Sequence, residues 1–574
     1  MNLAQAATIL ITALAVLIPD PAEAHENPNR KLEESLCSES DYSYPDGLQT
    51  PPLFGPGVGT YIAATAGITQ GVSKSETPIA IRTFSLIDAA AWNCIAAYDT
   101  TKLDALRTGK RPVVEVPVTV CGDTDAHTTA ARVQCFVHMY AAALPTLAPD
   151  AVPDFQSALE RLSTDYTTSP PRYTGAYPIQ MKMGIDSDVQ ACSKGADDYE
   201  AYKSCVEQIA EAYEYVPAIM GSIIAQDMLM YSSGDGWNAD GMDNGRCKNN
   251  CLPFSDTIGY EPKNVYQRKK AFKRKWQPLM ESDGRGFFYR QEHVTPHIGL
   301  KAVPRVLSRK EVNSRKVEKP LYNLEKEAGL VTERLSSLDD EKKMAIELFD
   351  NKVNVINLLS RGLLFRYLSD FTFERVILFS TVYMASEYDA VILAWKEKVR
   401  HDLVRPTTVI QQRRYNTPEN ITTWAGPYKG VETFSAKEFQ PYIRVMPHAE
   451  YPSGSGCICQ SNIDVTKAYM KLIFNDDGEG YFLSETFKAG SSLIEPGVTP
   501  AEELTLFFHD LESVREACGQ SRLDGGMHFT AAVENSYGLC VGFEEPVTDY
   551  MLTLLNGSDD LITTYVPRPP TGGP

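Results

Sequence analysis

The chain has 574 residues, 43% of them hydrophobic and 10% aromatic, and a formal net charge of −19. That length and apolar content support two or three domains with cores of their own and exclude an intrinsically disordered chain. The acidic balance argues against a non-specific nucleic-acid or anionic-membrane binder, because excess Lys and Arg hold such partners, so any anion site must be a local reversal of the global charge.

In chain order, residues 1–24 read as a signal peptide and predict a secreted protein. An apolar run from Ala6 to Ile18 is followed by Pro19, Pro21 and the small-residue site Ala22-Glu23-Ala24. A membrane anchor there is the competing reading, although the run is shorter than a span requires. No later segment reads as long and apolar enough to cross a bilayer, so no membrane span is expected in the mature chain. Residues 25–60, rich in Pro, Ser and charge, predict an extended lead-in, and the Pro- and Gly-rich residues 566–574 a disordered tail.

Between these ends the periodicity is helical. Apolar residues recur at three and four over residues 84–105, 130–144, 154–162 and 206–231, which predicts a first bundle within residues 61–305. Residues 234–304 read as a long ordered loop of that unit. The run Gly234-Asp235-Gly236-Trp237-Asn238 there lacks the closing Glu of a calcium-binding EF-hand. Residues 306–343 are highly charged and predict a solvated linker with a helix. Residues 344–565 are helical again, with little sign of alternating strands. The expected fold is all-α, two tandem helical bundles.

Twelve cysteines in an exported chain suit a disulfide framework of undetermined connectivity. The pairs Cys247/Cys251 and Cys457/Cys459 do not read as zinc clips, since no His lies at ligand spacing and Cys457 and Cys459 point to different sides of a helix. Asn420-Ile421-Thr422 and Asn556-Gly557-Ser558 are glycosylation acceptors in a host that glycosylates.

Three elements carry the chemistry. In the first, Lys398 and Arg405 lie seven residues apart before Pro406, so a helix through both projects two cations from one face, with Trp395 as a wall. In the second, Tyr451-Pro452-Ser453-Gly454-Ser455-Gly456 precedes a helical run. Tight turning at glycine and free N–H groups at the helix start can hold an anion beside the Ser453 hydroxyl and Gly454. In the third, Arg522 and His528 flank Gly525-Gly526, which breaks the helix and lets both side chains converge. A His beside a helix start is disfavoured as imidazolium, which suits a neutral ligand or nucleophile.

Taken singly, each element has an ordinary structural reading. Together, Lys-x6-Arg-Pro, Pro-Ser-Gly and Ser-Arg-x5-His follow in this order over 131 residues. This pattern resembles the shared signature of vanadium-dependent haloperoxidases and the type-2 phosphatidic-acid-phosphatase-like acid phosphatases. The chain length, Trp395 before Lys398, the Trp237-Asn238 loop and Trp276-Gln277-Pro278 look more like the chloroperoxidase branch. The resemblance implies vanadate as cofactor, held by Lys398, Arg405, Arg522, Ser453 and Gly454, with His528 as the metal ligand. It further implies hydrogen peroxide, halide and a small organic acceptor as partners, with a hypohalous-acid-type species as product. By analogy it suggests a homodimer. Where the family usually has Pro-Ser-Gly-His, this chain has Ser455. His448 and His401 are candidate replacements, His448 for proton transfer or as a halide-site wall. The alternative is a secreted phosphatase using His528 as nucleophile, and a catalytically silent binding protein is the third reading. Phosphate and vanadate have the same shape, so the sequence leaves the anion open.

Overall fold

The structure, a computed structural model, describes residue 65 and residues 75–556 except 108, 118–124, 163, 166–171, 174–181, 196–197, 214, 243–251, 265–273, 283–284 and 413–414. The expected signal peptide, lead-in and tail, the Cys247/Cys251 pair and most of the Asn556 sequon lie outside the described residues.

The fold is mainly helical. In the first half run α1 (Thr77–Ala96), α2 (Asp125–Leu147), α3 (Val152–Leu162), α4 (Lys182–Gly195), α5 (Tyr199–Ala212) and α6 (Pro217–Ser233). Short helices α7 (Ile298–Lys301) and α8 (Arg309–Ser314) lead to α9 (Leu324–Ser336), α10 (Asp340–Asp350), α11 (Lys352–Tyr367) and α12 (Phe373–His401). Then come α13 (Pro406–Gln411), α14 (Gly454–Phe474), α15 (Leu511–Asp524), α16 (Thr530–Cys540) and α17 (Glu544–Leu555). Among the described residues four two-stranded antiparallel pairs interrupt them: β1 (Thr164–Asp165) with β2 (Arg172–Tyr173), β3 (Met280–Ser282) with β4 (Phe288–Arg290), β5 (Asn420–Trp424) with β6 (Val431–Ser435), and β7 (Leu483–Phe487) with β8 (Leu504–Phe508).

Several boundaries differ from the periodicity. The apolar run 206–231 is two helices, because Pro217 cannot continue α5 and Tyr215 turns through φ +58° before it. The charged stretch 308–343 carries α8, α9 and the start of α10, and Ala328, Val331 and Leu335 of α9 are buried. Among the described residues two helices do have the length and apolarity to cross a membrane, α1 and α12, contrary to the reading of the sequence. Their most apolar windows are 89% and 100% buried inside the protein, so packing against other helices accounts for their composition.

One core runs through both halves, joining α1, α2 and α6 to α11, α12, α14 and α17. A second apolar cluster forms around Val331, Leu335, Ile346, Val404, Val409 and Phe439 and takes in Met527 and Phe529. It clamps the segment on both sides of His528.

Four disulfides join described residues: Cys94–Cys135, Cys192–Cys205, Cys457–Cys540 and Cys459–Cys518. Cys457 and Cys459 leave α14 on different sides, one tied to α16 and the other to α15.

A candidate oxyanion site at the ends of α12, α14 and α15

Thr372 caps α12 at its start, accepting from the Arg375 N–H, and the helix ends at His401. Asp402 there adopts a left-handed conformation, φ 51°, and its N–H returns to the Lys398 carbonyl at 2.7 Å. Lys398 and Arg405 are therefore not on one helix face, as their spacing suggested. Pro406 disfavours helical backbone at the residue before it, so Arg405 is extended and serves as the N-cap of α13. The two cations reach one pocket from different elements.

Lys398 is fully buried, and its ammonium donates to the carbonyls of Ala449 and Glu450 at 2.9 and 3.0 Å. Arg405 donates through Nε to the His448 carbonyl at 3.0 Å and through Nη1 to the Met527 carbonyl at 3.0 Å. Its Nη1 also lies 3.5 Å from His528 Nε2. Ser453 is the N-cap of α14, its hydroxyl oxygen accepting from the Gly456 N–H. That bond leaves the Ser453 hydroxyl proton and the first amides of α14 for another acceptor. A Cβ on Gly454 would lie 3.2 Å from the Trp395 ring and 3.8 Å from Lys398 Cε, so a bare backbone is what brings this turn against Lys398.

The helix α15 ends at Asp524, and Gly526 turns the chain at φ +75°. A side chain there would strike Leu335 and Pro441. The turn lets His528 leave α15 and meet Arg405. Arg522 donates through Nη2 to Asp350 Oδ1 at 3.0 Å, while its buried Nη1 has no partner.

Glu450, which the sequence reading did not single out, completes the cluster. Its Oε1 accepts from the Phe529 N–H at 2.9 Å and lies 3.1 Å from His528 Nδ1. A carboxylate can only accept, so Nδ1 carries the proton and Nε2 presents its lone pair toward Arg405 and the pocket. The signal in the sequence was position: Glu450 lies between His448 and Ser453, and a buried His needs an acceptor for one ring nitrogen.

His448 is buried, its ring 4.7 Å from Trp395 and 6.2 Å from His293. Its Nδ1 lies 3.0 Å from Arg405 Nη2, which can only donate, and 3.1 Å from the Ala449 carbonyl, which can only accept, so its two neighbours call for opposite tautomers. His293, from the first half of the chain, was also missed. It packs edge-on to Trp276 and Tyr260, and its Nε2 is buried without a partner. His401 is not at the pocket: its ring bonds the Val317 carbonyl at 3.0 Å and faces Tyr451. Ser455 occupies the first turn of α14, partly exposed.

Burial and crowding of like charge set the electrostatics. Burial, then Arg405, holds Lys398 well below the usual lysine range, and burial, against the pull of Glu450 and with Arg522 adding to it, holds Arg405 down to about 10. Burial, then Arg405, Lys398 and Arg522, hold His528 well below its ordinary value, and burial with Lys398 and Arg405 does the same to His448. Burial pushes Glu450 up to about 7 against the pull of the Phe529 N–H, Arg405 and Lys398. Three buried cations around neutral imidazoles repel one another, and a bound anion relieves that repulsion.

Residues 378–557 match the family model described as the VCPO second helical-bundle domain. No curated protein sequence matches the chain. Among solved structures, a holo-type bacterial vanadium-dependent chloroperoxidase is similar at TM-score 0.67 and 19% identity, over 87% of this chain and 98% of that one. The apo-type bacterial enzyme gives 0.65 and 19%, over 83% and 93%. A bacterial vanadium-dependent iodoperoxidase gives 0.52 and 15%, over 86% and 95%. Residues 378–557 thus match a VCPO second helical-bundle domain, and the chain as described shares the fold of these vanadium-dependent peroxidases.

Proposed function

We propose that the protein is a vanadate-dependent haloperoxidase that oxidises halide with hydrogen peroxide. The observation that carries the reading is the neutral, buried His528. Its Nε2 lone pair is held toward three cations by the Nδ1 bond to Glu450.

The donor set fits a tetrahedral oxyanion. Lys398, Arg405 and Arg522 would neutralise its charge, the Ser453 hydroxyl and Gly454 N–H would donate to its oxygens, and His528 Nε2 would hold the metal. The partnerless buried Nη1 of Arg522 supports this assignment. Bound vanadate would supply a Lewis acid that activates hydrogen peroxide for two-electron oxidation of halide to a hypohalous-acid-type product. The chain's own residues do the rest. Glu450 fixes the His528 tautomer, Trp395 and His448 wall the pocket, and Lys398 is placed to polarise a bound oxygen. His448, beside Arg405 and Trp395, is the candidate for proton transfer or a halide wall.

A phosphatase on the same frame needs a general acid at its leaving oxygen. Ser455 is no acid, and burial holds His448 neutral. Export is part of the proposal: the N-terminal apolar run and the disulfides support a secreted enzyme.

The test is peroxide-dependent bromination by protein stripped of metal and then given orthovanadate, with phosphate-ester hydrolysis measured on the same sample. Bromination that requires vanadate and disappears in His528→Ala is expected. Ester hydrolysis without bromination would overturn the reading.

A further inference from the structure

A cavity of about 690 Å³ lies between α1, α11 and α12. Its walls are apolar: Ile81 and Phe84 from α1, Ile356 and Leu364 from α11, Phe371, and Met384 from α12. This volume and lining are those of a small-molecule site. Its polar floor is mostly occupied. Asp88 accepts from Ser380 at 2.6 Å and Glu387 from Asn462 at 2.8 Å.

One end of the cavity adjoins the oxyanion site. Asp350 lines it and accepts from Arg522, and Met446, two residues before His448, lines it as well. Beside Asp350 stands Lys352, 7% exposed, whose ammonium donates to the Phe349 carbonyl. An ammonium has three donors, so others remain for a ligand.

We propose that this cavity holds the organic acceptor, an apolar molecule ending in a phenol ring, with its hydroxyl at Lys352 and its tail along the apolar walls. The proposal rests on the haloperoxidase reading. The polar end is next to the Arg522–Asp350 pair, so the electron-rich ring lies beside the source of oxidised halogen. Burial, then Arg522, holds Lys352 down to about 7, so its nitrogen can accept from a phenol hydroxyl as well as donate. This favours a phenol over a carboxylate. In the transfer, a ring C–X bond forms and a ring C–H bond breaks, the proton leaving with the hydroxide of the hypohalous acid as water.

The experiment is calorimetric titration of the vanadate-free full chain with para-hexylphenol and with phenol, beside bromination of both by the vanadate-loaded protein. Hexylphenol should bind about a hundredfold or more tighter than phenol, from the free energy per buried methylene. Ala80→Trp enters the cavity from a partly buried position on α1. It should bring the two phenols within roughly tenfold of each other, by removing the space for the tail. Bromination of hexylphenol should fall in step with its binding. If Ala80→Trp does not fold, Ile356→Trp on α11 repeats the test. Equal binding of the two phenols by the unmodified protein, or undiminished hexylphenol binding in both folded variants, overturns the proposal. Hexylphenol binding that the variants abolish, without bromination of either phenol, overturns the acceptor role together with the haloperoxidase reading. Hexylphenol that fails to bind while phenol is brominated overturns the cavity alone.

Discussion

Replacing Lys398 by Met keeps the length of the side chain and removes its charge, which separates what the lysine does for the fold from what it does for the anion. In the anion-free protein the ammonium is buried, depressed by burial and repelled by Arg405. Its loss strips a donor from the carbonyls of Ala449 and Glu450, at about 1 kcal/mol each. Relief of the buried charge offsets much of that, so the urea midpoint should move little. For an anion the balance reverses. Unit charges about 4 Å apart attract by about 4 kcal/mol at an effective dielectric near 20. Less the desolvation of the ligand, about 2–3 kcal/mol remains, or roughly 30- to 150-fold in Kd. Titration of orthovanadate into both proteins by calorimetry, beside urea unfolding without anion, measures the two effects. A Lys398→Met protein that binds vanadate as tightly as the unmodified chain would refute the placing of Lys398 in the pocket, and a collapse in anion-free stability would make it a structural residue.

Three further outcomes follow from the geometry. An anion in the pocket repels ionised Glu450, which titrates near 7, so binding of sulfate, whose charge is constant here, should weaken as pH rises through about 7. Glu450→Gln should flatten that dependence in calorimetry, and an unchanged profile would count against Glu450 as the titrating group. His293, held down to about 3 from 6.5, is neutral when folded, so its contribution to stability is present above about 6.5 and lost as pH falls toward 3. Between pH of about 7.5 and 4.5, His293→Phe should therefore gain about 2–3 kcal/mol relative to the unmodified protein in urea unfolding, and parallel curves would contradict its burial as a neutral ring. Replacing Cys457 and Cys540 by Ala opens a link across 83 residues and should cost about 2–4 kcal/mol, read as a lower Tm. Because the link ties the Ser453 helix to the segment after His528, vanadate affinity should fall as well, and an unaltered affinity would show that the core alone sets the register.

The site residues were legible because their chemistry is local in sequence: a glycine-flanked Ser at a helix start and a Gly-Gly break before a His leave short signatures. The link between Lys398 and Arg405 was misread, since helical spacing alone does not show that Asp402 turns left-handed and ends α12. Glu450 and His293 were missed because their roles depend on partners 78 residues away in the one case and on the opposite half of the chain in the other. The hairpins β5–β6 and β7–β8 escaped notice for a different reason. They are short, and β6, exposed at Val431, Glu432 and Thr433 in succession, carries no alternation. The two tandem bundles read from periodicity hid how much of α1 and α12 faces other helices instead of solvent.

The burial of α12 bears on how the molecule can be divided. This 29-residue helix, about 43 Å long at 1.5 Å per residue, presents Val376, Phe379 and Tyr383 to the shared core and carries Lys398 in its last turn. A chain cut before α10 would carry every cation of the oxyanion pocket, yet it would expose to water the flank of α12 that α1 covers. The half that carries the pocket is therefore not a portable module, and any fusion or minimised version of this protein must bring α1 along with the residues that line it.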